Sequence, residues 1–259
     1  MFRKKHLQPK SILITGASSG IGKALAETYA KPGTTLFLCG RNINRLNQVA
    51  KSCEAKGATV HTFAFDIGER SVAESALYNA NQLCKLDLII ANAGVSGGVL
   101  GMPENDIGTL NIFQTNIGGV LNTVLPAIHI LKQNKGGQIA IMSSLSAYRG
   151  MSSCPAYSAS KACVKAWGEG LRGFLKPHNI HVNVICPGFI ETPLTDKNKF
   201  YMPFIMKADK AAHIIKRRLS QNKPIIAFPG IMVFGAWIGG VLPASIILPV
   251  MGMFPKKEK

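Results

Sequence analysis

The chain has 259 residues, which suits one large α/β domain or two small ones, and its 47% hydrophobic content excludes an intrinsically disordered chain. Its net charge of +17 suits an anionic partner, but the basic residues are spread along the chain with no aromatic-interleaved stripe, so no nucleic-acid partner is expected. The six cysteines form no CxxC pair and no histidine cluster accompanies them, which argues against a metal site and favours a reducing compartment. Because no apolar signal region opens the chain, a cytoplasmic location is expected.

Short continuous apolar runs alternate with helical patterns along the chain. The runs predict strands at 11–16, 34–41, 59–67, 86–94, 137–144, 180–188 and 224–230. The helical patterns lie at 21–31, 43–57, 71–83, 113–133 and 156–176. Strands that are apolar throughout are typical of a parallel sheet covered on both faces. The order therefore predicts an α/β fold, a Rossmann-like doubly wound parallel sheet of about seven strands with helices on both faces.

The domain organisation predicted from these patterns is simple. With neither an internal repeat nor a linker in the sequence, residues 1–230 are expected to form a single catalytic domain. Residues 231–259 are expected to form an apolar C-terminal extension with a basic end.

A glycine-rich segment, TGASSGIG (15–22), lies between the first predicted strand and the first predicted helix. Glycines there allow a tight turn and a close approach of the backbone to a pyrophosphate, while the helix N-terminus offers free N–H groups. The predicted phosphate-binding residues are Gly16, Ser18, Ser19, Gly20, Ile21 and Gly22. The alternative is a glycine-rich turn that binds no ligand.

Arg41 follows the second predicted strand, in LCGRN (38–42). An acidic residue at this place would bond the ribose 2′-hydroxyl of NAD, and the segment has none. A guanidinium instead suits a 2′-phosphate, so Arg41 predicts NADP in preference to NAD as cofactor. The alternative is an arginine in a solvated loop.

Tyr157 and Lys161 lie four residues apart in AYSASKA (156–162), with only small residues between them. Residues at this spacing share one face of a helix. An ammonium close to a phenol favours the phenolate and would lower the phenol's pKa, which predicts an acid/base pair. A surface tyrosine and a surface lysine on an ordinary helix are the alternative.

Taken in chain order, these features resemble a short-chain dehydrogenase/reductase of the single-domain subtype over roughly residues 10–230. The other matching segments are FDI (65–67), ANAG (91–94), TNIGG (115–119), SS (143–144) and PGFIETP (187–193). The resemblance implies that Asp66 meets the adenine and that the last segment holds the nicotinamide. The implied cofactor contacts are Asp66, Ile67, Asn92, Ala93, Gly94, Tyr157, Lys161, Pro187, Gly188, Ile190 and Thr192.

The same resemblance implies four catalytic residues and no metal. Tyr157 would be the general acid/base, and Lys161 would lower its pKa and bond the nicotinamide ribose. Ser144 would hydrogen-bond the substrate oxygen, and Asn116 would shape its helix and hold water in a proton relay. Adjacent strand residues point to opposite faces, so only one of Ser143 and Ser144 can reach the site, and the thirteen-residue spacing to Tyr157 favours Ser144.

The family motifs leave the C-terminal segment unexplained. Residues 231–254 carry no charge and precede PKKEK (255–259). Pro243 and Pro249 would break or kink a spanning helix, so two short arms in a membrane interface are the alternative to one span. The basic end would favour an anionic membrane surface. The other expectation is that the segment packs on the domain or on a second subunit of a homo-oligomer and lines a substrate pocket.

The function expected is an NADP-dependent oxidoreductase that transfers a hydride between the nicotinamide and an alcohol/carbonyl pair. MPFIMK (202–207) and the apolar tail favour a lipophilic small-molecule substrate. A catalytically silent NADP-binding redox sensor and a membrane-associated scaffold are the alternatives. The intact Ser144–Tyr157–Lys161 set argues against the sensor, and the intact glycine turn argues against the scaffold.

Overall fold

The computed structural model describes residues 7–96, 104–196 and 201–252. Parallel strands form its main sheet: β1 (Ser11–Thr15), β2 (Thr35–Gly40), β3 (Thr59–Ala64), β4 (Leu88–Ala91), β5 (Gly137–Met142), β6 (Ile180–Pro187) and β9 (Ile225–Phe228). A separate two-stranded ladder pairs β7 (Ile190–Glu191) with β8 (Met206–Lys207). The helices that connect the strands of the main sheet are α1 (Gly20–Tyr29), α2 (Ile43–Glu54), α3 (Arg70–Leu83), α4 (Asp106–Phe113), α5 (Gly119–Gln133), α6 (Pro155–Phe174) and α7 (Ala208–Ser220).

The strand order of the main sheet is β3-β2-β1-β4-β5-β6-β9. The chain first winds outward from β1 to β3, then crosses back to place β4 on the other side of β1 and winds outward again to β9. This reversal leaves a crevice beyond the carboxyl ends of β1 and β4, where ligands bind in sheets of this kind. The predicted fold class, with its seven strands, is confirmed.

Alternate residues of each strand face opposite layers of the core. On β1, Ile12 and Ile14 join one apolar cluster with buried residues of α1, α2 and α7, whereas Leu13 joins a second cluster with residues of α3, α5 and α6. All three strand residues are fully buried. The continuous apolar runs in the sequence therefore reflect a sheet covered by helices on both faces.

Two helices were absent from the sequence prediction. In α4 the large side chains of Ile107 and Leu110 are 73% and 69% exposed, so the apolar pattern does not mark a buried face. In α7 the buried residues Ala211, Ala212, Ile215 and Leu219 do follow a helical period, and this signal was overlooked. The predicted helix at 113–133 is divided: Phe113 ends α4, a π-helical segment spans Gln114–Gly118, and α5 follows.

The apolar C-terminal segment forms two short helices, α8 (Gly230–Val241) and α9 (Ala244–Gly252). They are separated at Leu242 and Pro243, as expected of a proline that cannot continue the first helix. Within the described residues, no helix is both long and apolar enough to span a membrane. The ends of the predicted tail (253–259) and of the chain's N-terminus (1–6) lie outside the described residues.

Candidate active site

The glycine-rich turn connects β1 to α1 at the crevice. Gly16 and Gly20 have φ values of +66° and +54°, in the left-handed region that glycine adopts without strain. A Cβ on Gly22 would overlap the carbonyl oxygen of Gly16, so only glycine permits this tight crossing of helix and turn. The N-cap residue Ser19 makes no side-chain cap hydrogen bond, and the first turn of α1 holds no acidic residue. The first N–H groups of α1 are thus suited to phosphate.

Asn92 and Thr15 hold this turn against the end of β4. The Asn92 side chain donates to the carbonyl oxygens of Thr15 (2.9 Å) and Gly16 (3.3 Å). The Thr15 hydroxyl accepts from the backbone N–H groups of Asn92 (3.0 Å) and Ala93 (3.1 Å). Asn92 therefore lines the crevice while its side-chain amide is engaged in fixing the turn. Thr15, which the sequence analysis did not single out, completes this arrangement.

Ser144, Tyr157 and Lys161 meet in the same crevice. Ser144 follows the end of β5, and its side chain lies close enough to that of Tyr157 to act on the pKa of the phenol. Lys161, one turn further along α6, is 4% exposed and its Nζ lies 5.7 Å from the centre of the Tyr157 ring. The Lys161 ammonium also donates to the carbonyl oxygen of Met142 (3.1 Å). The predicted spacing on one helix face thus brings the phenol and the amine together.

Ser143 has a different environment from Ser144. Its hydroxyl donates to the carbonyl oxygen of Lys161 at 2.8 Å. The Ser144 hydroxyl instead accepts from the backbone N–H of Ser146 at 3.1 Å. Both serines border the crevice, but Ser144 is the one that contacts Tyr157.

The protonation of Tyr157 and Lys161 differs from the sequence expectation. Burial raises the pKa of Tyr157 to about 12, and the nearby side chain of Ser144 opposes this only in part. Burial lowers the pKa of Lys161 to about 8. The pKa of Tyr157 is thus raised and not lowered as expected, because burial of the phenol is the largest influence on it.

Asn116 lies behind the crevice, in the π-helical segment between α4 and α5. It is fully buried, accepts from the N–H of Val95 (2.8 Å), and donates to the carbonyl oxygen of Val95 (2.9 Å) and the hydroxyl of Ser160 (3.0 Å). Both amide hydrogens are thus used, which leaves one lone pair of the carbonyl oxygen. A Cβ on Gly94 would lie 3.0 Å from that oxygen and 3.2 Å from Nζ of Lys161, so the Asn116 amide and the lysine amine border the same small space.

Arg41 is at the far end of the crevice from Tyr157, beyond β2. Its guanidinium lies 3.6 Å from a carboxylate oxygen of Asp66, and both side chains are well exposed. Asp66 also accepts from the N–H of Gly68 at 2.8 Å. Arg45, in the first turn of α2, borders the same end of the cleft. The sequence analysis did not predict it, although a second arginine four residues after Arg41 could have suggested it.

These residues border one cleft of about 360 Å³. Of the predicted residues, Gly22 and Asn116 do not line it: Gly22 packs against the turn, and Asn116 supports the wall. The other predicted residues line it: Gly16, Ser18, Ser19, Gly20, Ile21, Arg41, Asp66, Ile67, Asn92, Ala93, Gly94, Ser144, Tyr157, Lys161, Pro187, Gly188, Ile190 and Thr192. Thr195 was missed; its hydroxyl donates to the carbonyl oxygen of Ile190 (2.6 Å) and accepts from the N–H of Thr192 (3.0 Å), which fixes this part of the rim.

Helix α8 lies beside the end of the cleft that holds Tyr157 and Lys161. Met232, Val233 and Ala236, together with Tyr148, pack against a small buried cluster that includes Leu145. A Cβ on Gly188, which lines the cleft, would lie 2.9 Å from the sulfur of Met232. The tail is therefore in direct contact with the wall of the cleft.

A crevice of this kind, with phosphate-accepting backbone groups at one end and a Ser–Tyr–Lys cluster at the other, defines a Rossmann-fold oxidoreductase. The family model described as short chain dehydrogenase matches residues 10–200. The chain therefore belongs to the short-chain dehydrogenase/reductase family, whose members are NAD(P)-dependent oxidoreductases acting on alcohol/carbonyl pairs.

Individual relatives agree with this assignment. An uncharacterized oxidoreductase of Myxococcus xanthus is 32% identical over 240 residues, covering 90% of this chain and 93% of the relative. A 3-oxoacyl-[acyl-carrier-protein] reductase of Thermotoga maritima is 31% identical and covers 74% of this chain and 78% of its own length. A crystal structure of a short-chain type dehydrogenase/reductase from Mycobacterium marinum is 25% identical, with a TM-score of 0.77 over 93% of this chain and 98% of that one.

Proposed function

We propose that the protein is an NADP-dependent oxidoreductase that interconverts a lipophilic alcohol and its carbonyl compound in one catalytic domain, residues 1–230. The contact of Ser144, Tyr157 and Lys161 at one end of the cleft that the glycine turn opens supports this proposal most. When bound, the nicotinamide accepts or supplies the hydride. A silent redox sensor would need none of these three side chains in contact.

Tyr157 acts as the general acid and base in this proposal. During reduction its phenol donates a proton to the carbonyl oxygen of the substrate, and during oxidation the phenolate removes the hydroxyl proton. The hydroxyl of Ser144 donates a hydrogen bond to the same substrate oxygen, where negative charge develops. Because burial raises the pKa of Tyr157, its proton is retained at neutral pH, which suits a proton donor.

Lys161 and Asn116 complete the proton path. The ammonium of Lys161 stabilises the phenolate left after proton transfer, gives up the proton that restores the phenol, and bonds the ribose next to the nicotinamide. The remaining lone pair of Asn116 faces the space beside Nζ of Lys161 and holds a water there, which returns a proton to the lysine.

The preference for NADP rests on the cationic end of the cleft. Arg41 and Arg45 border it together, and a 2′-phosphate can accept from both guanidinium groups. The carboxylate of Asp66 lies 3.6 Å from Arg41, and both side chains are exposed. Because such a surface ion pair is weak, Arg41 can bind a phosphate in its place. Among the described residues that line this end of the cleft, no other acidic side chain is found, so a 2′-phosphate meets more positive than negative charge there.

The lipophilic character of the substrate is proposed from α8. The domain-facing side of α8 supplies Met232 and Val233 to the wall beside the cleft, and the opposite side is also apolar. Ile231, Phe234, Trp237 and Val241 are 54% to 63% exposed, and the rings of Phe234 and Trp237 stack at 6.5 Å. Burying such side chains contributes about 1.5–3 kcal/mol each. We assign this face to an anionic membrane surface, on which a cytoplasmic enzyme would meet lipophilic substrate.

A substrate screen tests the proposed activity. Purified protein is mixed with lipophilic ketones and alcohols, including steroids, retinoids and acyl ketones, with NADPH, NADH or their oxidised forms, and turnover is followed at the nicotinamide absorbance. Turnover with NADPH above that with NADH, on lipophilic rather than small polar carbonyls, is expected. A protein that binds NADPH but turns over none of these compounds would point to the redox-sensor alternative.

A further inference from the structure

The first turn of α6 carries an unusual cap. Its N-cap residue Cys154 makes no side-chain cap hydrogen bond, and Pro155, next in the chain, has no N–H. The next backbone donors belong to Ala156 and Tyr157, and an α-helix offers them no partner of its own. The cap therefore has to come from elsewhere in the chain.

Glu104 supplies this cap from a distant part of the sequence. One of its carboxylate oxygens accepts from the N–H of Ala156 at 2.7 Å, and the other accepts from the N–H of Tyr157 at 3.2 Å. Glu104 is half-buried and immediately precedes Asn105, the N-cap of α4. A carboxylate at a helix N-terminus is favoured by the helix dipole and makes charge-assisted hydrogen bonds.

The carbonyl group of Tyr157 is held as well. It accepts from the hydroxyl of Ser160 at 2.7 Å, and the same hydroxyl accepts from the Asn116 amide at 3.0 Å. Both backbone polar groups of Tyr157 are thus connected to one structural unit, the stretch from Glu104 through α4 to the π-helical segment. In an ordinary helix without such a cap, the backbone N–H of Tyr157 would have no partner in its own helix. The position of Tyr157 would then not be tied to the other walls of the cleft.

We infer that Glu104 is a positioning residue for Tyr157: its carboxylate sets the start of α6 so that the phenol lies in line with Ser144 and the reacting oxygen. This inference rests on the proposed role of Tyr157. Misplacement of a catalytic group by about 1 Å can cost on the order of 100-fold in rate, so the loss of such a cap is expected to lower turnover rather than cofactor affinity.

The test compares Glu104→Ala with Asp87→Ala. Both remove a carboxylate that accepts from two backbone N–H groups, and Asp87 accepts from Lys10 (2.8 Å) and Ser11 (3.1 Å) at the start of β1, away from the cleft. We expect kcat for the ketone with the highest turnover in the screen to fall about 10-fold in Glu104→Ala and to stay within about twofold of wild type in Asp87→Ala. The dissociation constant for NADPH should be unchanged in both proteins.

Glu104→Gln keeps the shape of the side chain and one accepting oxygen, and it should recover part of the lost kcat. It also replaces Glu104→Ala if that protein does not fold. Equal kcat in wild type, Glu104→Gln and Glu104→Ala, measured well below their melting temperatures, would overturn the inference. Tyr157→Phe distinguishes failure of this inference from failure of the proposed function. If Tyr157→Phe is inactive while Glu104→Ala is fully active, only the positioning role of Glu104 is wrong. If Tyr157→Phe is active, the proposed acid/base role of Tyr157 is itself wrong.

Discussion

The glycine turn and the C-terminal helix α8 border the same cleft but differ in what stabilises their conformation. In the turn, Gly16, Thr15 and Asn92 are connected by short hydrogen bonds, and each residue type is explained by a contact inside the chain. In α8, only one side is explained this way, through the packing of Met232 and Val233. Its other side exposes large apolar groups such as Trp237.

The two regions differ in what would select their residues. A ligand of fixed shape restricts the residues of the glycine turn, whereas the outer side of α8 needs only to be apolar. A phosphate group needs backbone donors at set positions, which restricts the turn to glycine and small polar residues. A lipid surface or a lipophilic substrate needs only apolar area, which many sequences can supply. Substitutions should therefore have large effects in the first region and small, additive ones in the second.

The largest effect is expected at Tyr157, the proposed general acid and base. Tyr157→Phe removes the phenolic proton donor, and turnover should fall by at least about 100-fold while NADPH affinity is kept. Tyr148→Phe is the matched control, because Tyr148 also has a lysine over its ring, with Nζ of Lys165 at 5.0 Å, but does not line the cleft. Near-normal kcat in Tyr157→Phe would contradict the assignment.

Gly22→Ala is expected to disrupt the turn itself. The added Cβ overlaps the carbonyl oxygen of Gly16, so the turn must shift and NADPH binding should weaken by about 10-fold or more, measured by fluorescence titration. Gly170→Ala in α6 is the control: nothing lies within 4 Å of its added Cβ, and it should stabilise the helix by about 1 kcal/mol. An unchanged NADPH affinity in Gly22→Ala would count against the phosphate role of the turn.

Arg41→Asp is expected to reverse the cofactor preference. Removing the guanidinium and adding a carboxylate should lower kcat/KM with NADPH by about 10-fold and raise it with NADH. Lys51→Asp makes the same charge change on α2, outside the cleft, and should leave the ratio of the two values unchanged. A wild-type protein that prefers NADH would show the NADP proposal to be wrong.

The pH dependence of reduction should follow Lys161. Burial lowers the pKa of its amine to about 8, so the ammonium loses its proton as the pH rises through that value. Tyr157 keeps its proton over this range, because its pKa is raised to about 12. The value of kcat/KM for the ketone should therefore be level below about pH 7 and fall above about pH 8. A profile that stays level to about pH 10 would mean that the charge of Lys161 is not required.

The smallest effect on chemistry is expected on the outer side of α8. In Phe234→Ser/Trp237→Ser, kcat for a water-soluble substrate should be unchanged, but less protein should sediment with vesicles of anionic phospholipid. Leu83→Ser, which removes a 60% exposed leucine from α3, is the control and should sediment like wild type. High salt should release only a fraction of the wild-type protein, since apolar burial is not screened. Wild-type protein that stays in the supernatant at low salt would favour a subunit interface or the substrate pocket instead.

Much of the sheet and of the cleft could be predicted because their signals are local. Continuous apolar strands such as Ile12–Ile14, glycines at fixed spacing and the four-residue step from Tyr157 to Lys161 each follow from short-range geometry. Helix α7 carried an equally local signal in its buried residues and could have been found. Helix α4 could not be predicted from its apolar pattern, because its large apolar residues Ile107 and Leu110 are exposed and do not mark the buried side.

By itself the sequence determined the fold class, the position of the glycine turn and the helix face shared by the phenol and the amine, since these depend on local patterns along the chain. The strand order of the sheet came from the tertiary structure. Only the tertiary structure decided the pairing of Glu104 with α6, the meeting of Arg45 with Arg41 at one end of the cleft, and the sides of α8 that face the domain or the outside. It also decided the direction of the pKa of Tyr157. Burial and contacts between distant segments set these properties, and neither can be read from spacing along the chain.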